Sequence, residues 1–172
     1  MPKHPSTDFP RIRAFQDRDL DAVVELSLLA WEPVFVSFEN VLGTIIFDHM
    51  YRPDWQTAQA TAVRANCLNE DTETYVVVTE HDQPVGFAVL LQDQAESVGV
   101  VDMIAVHPDH QRHGHARRLM ELAIDRFHGQ GLDLVNVATG GDPGHAPARA
   151  LYEAVGFTGL PLKTYYLAGP PR

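Results

Sequence analysis

The chain has 172 residues, with 23 acidic against 13 basic side chains, a formal net charge of −10, nine His and one Cys. Its length fits one domain, and at 45% hydrophobic and 21% charged it is ordinary globular material, not disordered or repetitive. Strong acidity argues against nucleic acid or an anionic membrane as main partner, and no run of about 18 apolar residues offers a membrane span. The opening MPKHPSTDFP lacks the apolar core of a secretion signal, and the lone Cys67 rules out an internal disulfide. A reducing cytoplasm is therefore the expected compartment.

In chain order, Arg11 to Gln16 alternates as a short strand. Asp17 reads as an N-cap for a helix with Leu20, Val23, Val24, Ser27 and Leu28 on one face. Pro33 is suited to opening a second helix through Val34 to Phe47, and a third is expected from Trp55 to Leu68. From Thr74 the period changes. Tyr75 to Thr79 and Val85 to Leu91 are β-branched or aromatic runs joined by the turn His81-Asp82-Gln83-Pro84. Ser97 to Val106 is a further strand, nearly continuous in apolar residues.

After Pro108 comes a helix with Ala116, Leu119, Met120, Ala123 and Phe127 at helical spacing, stopped near Gly129 and Gly131. Leu132 to Ala138 returns as a strand, and the loop Gly140 to Gly144 leads into a short helix from about Pro147 to Val155. A last strand pair is expected at Phe157 to Leu160 and Thr164 to Leu167. The order predicts a single α/β domain over 1–172, a mixed central sheet flanked by helices.

Charge is divided unevenly along this order. No Lys or Arg lies between Arg64 and Arg112, where nine acidic residues from Glu70 to Asp109 fall. Then Arg112, Arg117 and Arg118 arrive together, interleaved with His113 and His115. The segment Val106-His107-Pro108-Asp109-His110-Gln111-Arg112-His113-Gly114-His115-Ala116 runs from strand to helix. Pro108 stops the strand, and Gly114 and Ala116 strip bulk from the first helical turn. Backbone N–H groups there have no intrahelical partner and suit an anion such as a pyrophosphate. The nucleotide P-loop and dinucleotide glycine patterns are both missing.

Gln111-x-x-Gly114-x-Ala116 resembles the [RQ]-x-x-G-x-[GA] signature of the GNAT N-acetyltransferases, which bind acetyl-coenzyme A. Downstream, Ala148 to Phe157 resembles that family's A-x-x-x-Y-x-x-x-G-F ending. The resemblance is good over about 74–168 and only in outline before it. It implies the GNAT fold, with main-chain groups of Ile104, Ala105 and Val106 pairing with the pantetheine arm. It also implies that N–H groups of Arg112, His113, Gly114, His115, Ala116 and Arg117, beside Gln111, hold the pyrophosphate. Tyr152 would protonate the departing thiolate. Seven residues before Tyr152, where the family often carries an Asn touching the cofactor or the base of the site, this chain has His145, which the resemblance counts among the cofactor-binding residues. Terminal strands in the family often pair between subunits, which implies a homodimer.

Asp102 is the candidate base. It interrupts an apolar strand on the face of Ile104 and Val106, where burial would raise its pKa; the alternative is a structural carboxylate paired with an arginine or a helix end. Glu32 beside Trp31 could hold a cationic amine, and Phe35, Phe38, Tyr51 and Trp55 could line a pocket or simply pack. No metal is expected, since His107, His110, His113 and His115 lack a ligand spacing. Cys67 has no cationic sequence neighbour and reads as inert. The function expected is transfer of an acetyl group from acetyl-coenzyme A to the amine of a small cationic molecule. The alternatives are a protein or peptide acceptor, or a non-enzymatic acyl-coenzyme A-binding module.

Overall fold

The computed structural model describes residues 10–169; the N-terminal stretch read above for a secretion signal lies, up to residue 9, outside them. Strand β1 (Arg11–Ala14) leads through a 3₁₀ turn into α1 (Leu20–Leu42), α2 (Thr44–Met50) and α3 (Trp55–Cys67). Strands β2 (Thr72–Val78), β3 (Pro84–Asp93) and β4 (Val98–Val106) follow, then α4 (His115–Gly129), β5 (Leu134–Val137) and α5 (Ala146–Ala154). The strands lie in sequence order in one sheet, antiparallel from β1 to β4 and parallel between β4 and β5. Helix α4 makes the crossover a parallel pair requires. No helix among the described residues is long and apolar enough to cross a membrane.

Period-two alternation sorts the strands onto two faces. Val77, Ala88, Leu90 and Val101 meet Leu119, Met120, Ala123 and Phe127 of α4 and Tyr152 of α5. Val76, Val78, Phe87, Val89 and Ala105 face the other way, onto Val23, Val24 and Leu26 of α1 and Val63 and Cys67 of α3. Side chains buried this fully contribute roughly 1.5–3 kcal/mol each for the larger ones, before the entropy cost of ordering them. The entry to α1 is held by charge. Arg13 forks onto Asp19 at 2.6 and 2.9 Å, and Asp19 also accepts the Gln16 N–H. Burial pushes the Asp19 carboxyl up, but those hydrogen bonds outweigh it and hold the group below its usual range.

Three expectations are corrected. Pro33 lies inside one continuous α1 and opens no second helix; the break falls at Gly43, whose φ of 73° no helix continues. Asp17 caps nothing by its side chain, because Asp19 carries the charge contacts at that turn. Residues 157–160 and 164–167 form no strands. They are followed as an exposed tail in which Leu160 and Leu167 are 79% and 97% accessible, so β5 remains the sheet's edge.

Candidate active site

Strand β4 keeps β5 as a neighbour only over Val98–Val101, opposite Leu134–Val137. Opposite β3 the register shifts between Val89 and Leu90, which face Met103 and Val101, so Asp102 is the extra residue of a bulge. From the bulge onward β4 has an open edge among the described residues. The orientation of that edge follows from one bond: the His107 N–H reaches the Val85 carbonyl at 2.8 Å. In an antiparallel ladder hydrogen-bonded positions alternate, so Ala105 also turns its main chain toward β3. Ile104 and Val106 turn theirs outward. Of the three residues implied for the pantetheine arm, Ile104 and Val106 present backbone groups to it and Ala105 does not.

The open edge runs directly into the turn before α4. Gln111 Nε2 donates to the Val106 carbonyl at 3.0 Å, so the motif glutamine ties turn to strand. Beyond it Arg112 and Gly114 have φ of 63° and 80°, a left-handed pair that lets successive N–H groups converge on an anion. Gly114 meets this demand at no steric cost, and a side chain there would point into open space. No acceptor among the described residues takes the N–H groups of 112–117, whereas the next, Arg118, closes onto the Gly114 carbonyl at 3.0 Å. At the first turn of α4 the His115 ring is 5% exposed, and its Nδ1 is buried without a partner among the described residues. An anion with many acceptor oxygens fits the orphan backbone N–H groups of 112–117.

The arginines divide their labour differently from the charge pattern. Arg117 pairs with Glu121 at 2.8 Å, and Arg118 donates to the Pro10 carbonyl at 2.6 Å. The exposed Arg112 has no side-chain partner among the described residues and is the cation left for a ligand. Across the gap, α5 places Tyr152 in the core, 8% exposed, with Phe157 edge-on at 6.1 Å. Burial pushes its hydroxyl up to about 12.

Residues 34–157 match the model of the acetyltransferase (GNAT) family. The chain belongs to that family. The fold is shared with a mutant BH1408 protein of Bacillus halodurans at TM-score 0.69 and 16% identity, over 92% of this chain and 99% of that one. It is shared with the PaiA N-acetyltransferase of Thermoplasma acidophilum in complex with coenzyme A, at TM-score 0.63, 13% identity and 86% and 89% coverage. The aminoglycoside N-acetyltransferase AAC(6')-Iy, in complex with CoA, aligns at TM-score 0.59 and 14% identity, over 96% and 99%. A search of curated protein sequences found no match.

Within this GNAT frame one site residue differs from expectation. Asp102 is exposed, because the bulge turns it off the buried face, so the burial argued to tune it as a base is missing. His115 contributes its backbone to the turn, while its ring packs inward, 6.0 Å from the exposed ring of His113. His145 is placed by a partner the sequence reading passed over. Asp142, three residues earlier, accepts from His145 Nδ1 at 2.5 Å, and its carboxylate is 7% exposed. The Asp-Pro-Gly-His spacing was the available signal, hidden inside what read as a connecting loop. The aromatic residues of α1 to α3 mostly pack on one another, with Phe35 stacked on Trp55 at 4.5 Å.

Proposed function

We propose that this GNAT protein transfers the acetyl group of acetyl-coenzyme A to the amine of a small, cationic molecule, by direct attack in a ternary complex. The observation that carries the reading is the continuity of the outward-facing main chain at Ile104 and Val106 with the orphan N–H groups of residues 112–117. An extended amide-bearing arm suits the first, as an added strand, and a pyrophosphate suits the second. When bound, acetyl-coenzyme A supplies the activated acetyl thioester. Arg112 adds charge, and Gln111 keeps edge and turn in register.

Acceptance of a cationic amine is supported by the formal charge of −10 and by the exposed Asp102 at the start of the open edge. An amine with pKa near 10.4 is unprotonated in only about one molecule in 10³ at pH 7, a deficit of roughly 4–5 kcal/mol. Removing that proton is the larger task. Full transfer from a phenol near 12 to a thiolate near 8.5 is uphill by about 5 kcal/mol, so Tyr152 serves as a hydrogen-bond donor to the leaving sulfur. The test is thiol release from acetyl-coenzyme A with spermidine, kanamycin and a lysine-containing peptide. Turnover with the first two supports the reading. Turnover with the peptide alone assigns a protein acceptor, and binding without turnover assigns an acyl-coenzyme A-binding module.

We also propose a homodimer, supported by the outer edge of β5, which no strand among the described residues covers, and the exposed apolar tail at Leu160, Leu162, Tyr165 and Leu167. Sedimentation of the chain cut after Thr158 is expected to give a monomer where the full chain gives a dimer.

A further inference from the structure

Past Val137 no strand among the described residues lies beside β4, and the loop that follows β5 reaches across this gap to α1. The Gly144 N–H donates to Ser37 Oγ of α1 at 3.0 Å and to the Asp142 carboxylate at 3.0 Å. The approach is so close that a Cβ on Gly144 would stand 2.9 Å from the Val34 Cα. Arg149 of α5 fixes the same loop by donating to the carbonyls of Gly140 and Asp142 at 2.6 and 2.8 Å. A carboxylate and an imidazole held together at this seam are costly to bury unless they serve each other.

We propose that His145, oriented by Asp142, is the base that takes the proton from the acceptor amine, which gives the reaction assigned above its missing proton acceptor. Asp142 is the positioning residue. Its carboxylate accepts from Nδ1, which fixes the proton on that nitrogen and leaves Nε2 with its lone pair outward. Burial works against ionisation of Asp142, but hydrogen bonds from Ser37 and His145 prevail and hold it below the usual carboxylate range. The His145 side chain is 15% exposed, and Nε2 has no hydrogen-bond partner among the described residues. The ring leans on Phe38 at 5.2 Å between centroids, which shields one side from water.

His145 is the N-cap of α5, and Tyr152 lies within that helix, seven residues further along the chain. In the step, the amine lone pair forms the new C–N bond to the acetyl carbon and the C–S bond breaks. The leaving sulfur keeps that electron pair and accepts a hydrogen bond from Tyr152. Before that attack the bound ammonium gives one proton to His145 Nε2, which frees the lone pair. The imidazolium formed is paired with Asp142 until it loses the proton to solvent. After the attack the adduct nitrogen gives its second proton to the leaving thiolate, leaving a neutral amide and a free thiol. Atoms and charge balance without a metal or a redox partner.

The charged and titratable groups facing the pair are Arg149 from α5 and Tyr51 after α2, which in turn neighbours Tyr166 of the tail. The test uses the full chain, acetyl-coenzyme A and the fastest of the three acceptors above. His145→Gln is expected to lower kcat by 10²-fold or more at pH 7, within the span of general bases, a larger loss than any change in the KM for acetyl-coenzyme A. The deficit shrinks as pH rises and the amine deprotonates itself.

A readout independent of turnover is the ring ¹⁵N spectrum of the free protein. It should show a His145 Nδ1–H tautomer in the wild type and its loss in Asp142→Asn, with the fold checked by melting. A His145→Gln variant with an unchanged kcat and pH profile overturns the assignment while the acetyltransferase reading stands. So does an Nε2–H tautomer in the wild type. A wild-type chain that releases no thiol with any acceptor overturns both.

Discussion

Gln111 Nε2 lies 3.0 Å from the Val106 carbonyl, and this bond joins the two halves of the donor-binding surface. Val106 ends the open edge of β4; Gln111 begins the turn whose N–H groups await an anion. The glutamine thus occupies the one outward carbonyl at the end of the strand. It leaves the Ile104 N–H and C=O and the Val106 N–H for a ligand. Gln111→Leu is expected to uncouple turn from strand, weakening acetyl-coenzyme A binding about tenfold while costing only about 1 kcal/mol of stability. Calorimetry beside a urea melt separates the two. Equal affinity in the variant would mean that the turn holds its shape unaided.

Tyr152→Phe removes a hydroxyl and leaves its packed ring. Because a phenol raised to about 12 donates a hydrogen bond rather than a whole proton, kcat should fall by about 10²-fold or less. Stopped-flow turnover at saturating donor measures this. A drop in donor affinity with unchanged kcat would remove Tyr152 from the chemistry.

His115 predicts a pH effect on stability. Burial first, then the charges of Arg118 and the neighbouring His113 and His110, lower its pKa from the ordinary 6.5. A folded-state value below the unfolded one means the unfolded chain binds more protons as pH falls below about 6.5. Stability from this source is therefore complete above that pH and is lost on acidification toward the folded value. His115→Phe keeps the ring volume and abolishes the titration. The stability of wild type relative to variant should fall between pH 7.5 and pH 5 in denaturant titrations. A constant difference across that range would show that the ring does not resist protonation.

Strands β1 to β5 and helices α3, α4 and α5 were legible because each announces itself locally, whereas the alternation at 157–160 and 164–167 meets no sheet edge and forms no strands. Val76-Val77-Val78 alternates between two cores, and Leu119, Met120, Ala123 and Phe127 repeat at helical spacing. The phosphate turn was legible for the same reason, since its chemistry is backbone chemistry and needs only a strand stop, a glycine and a helix start. What was not legible depends on contacts distant in sequence. Pro33 stays inside α1 because it is exposed and the packing of Val34, Phe35 and Ser37 continues through it. The bulge at Asp102 depends on the register of β3, and no pattern within β4 alone reveals it. The Asp142–His145 pair acquires meaning only when Ser37, 107 residues from Gly144, arrives to complete it.

The central claim is that the turn at 112–117 holds the pyrophosphate of acetyl-coenzyme A, and charge at Gly114 tests it most directly. Asn and Asp both tolerate the left-handed backbone that Gly114 adopts with φ of 80°, so they differ at this site mainly in one negative charge. Acetyl-coenzyme A titrated against the wild type should stabilise it by about 2.7 kcal/mol at 100 times its Kd. Gly114→Asn should bind somewhat more weakly, and Gly114→Asp at least tenfold more weakly again. Equal affinity for the Asn and Asp variants, or no stabilisation of the wild type at millimolar acetyl-coenzyme A, would contradict the account.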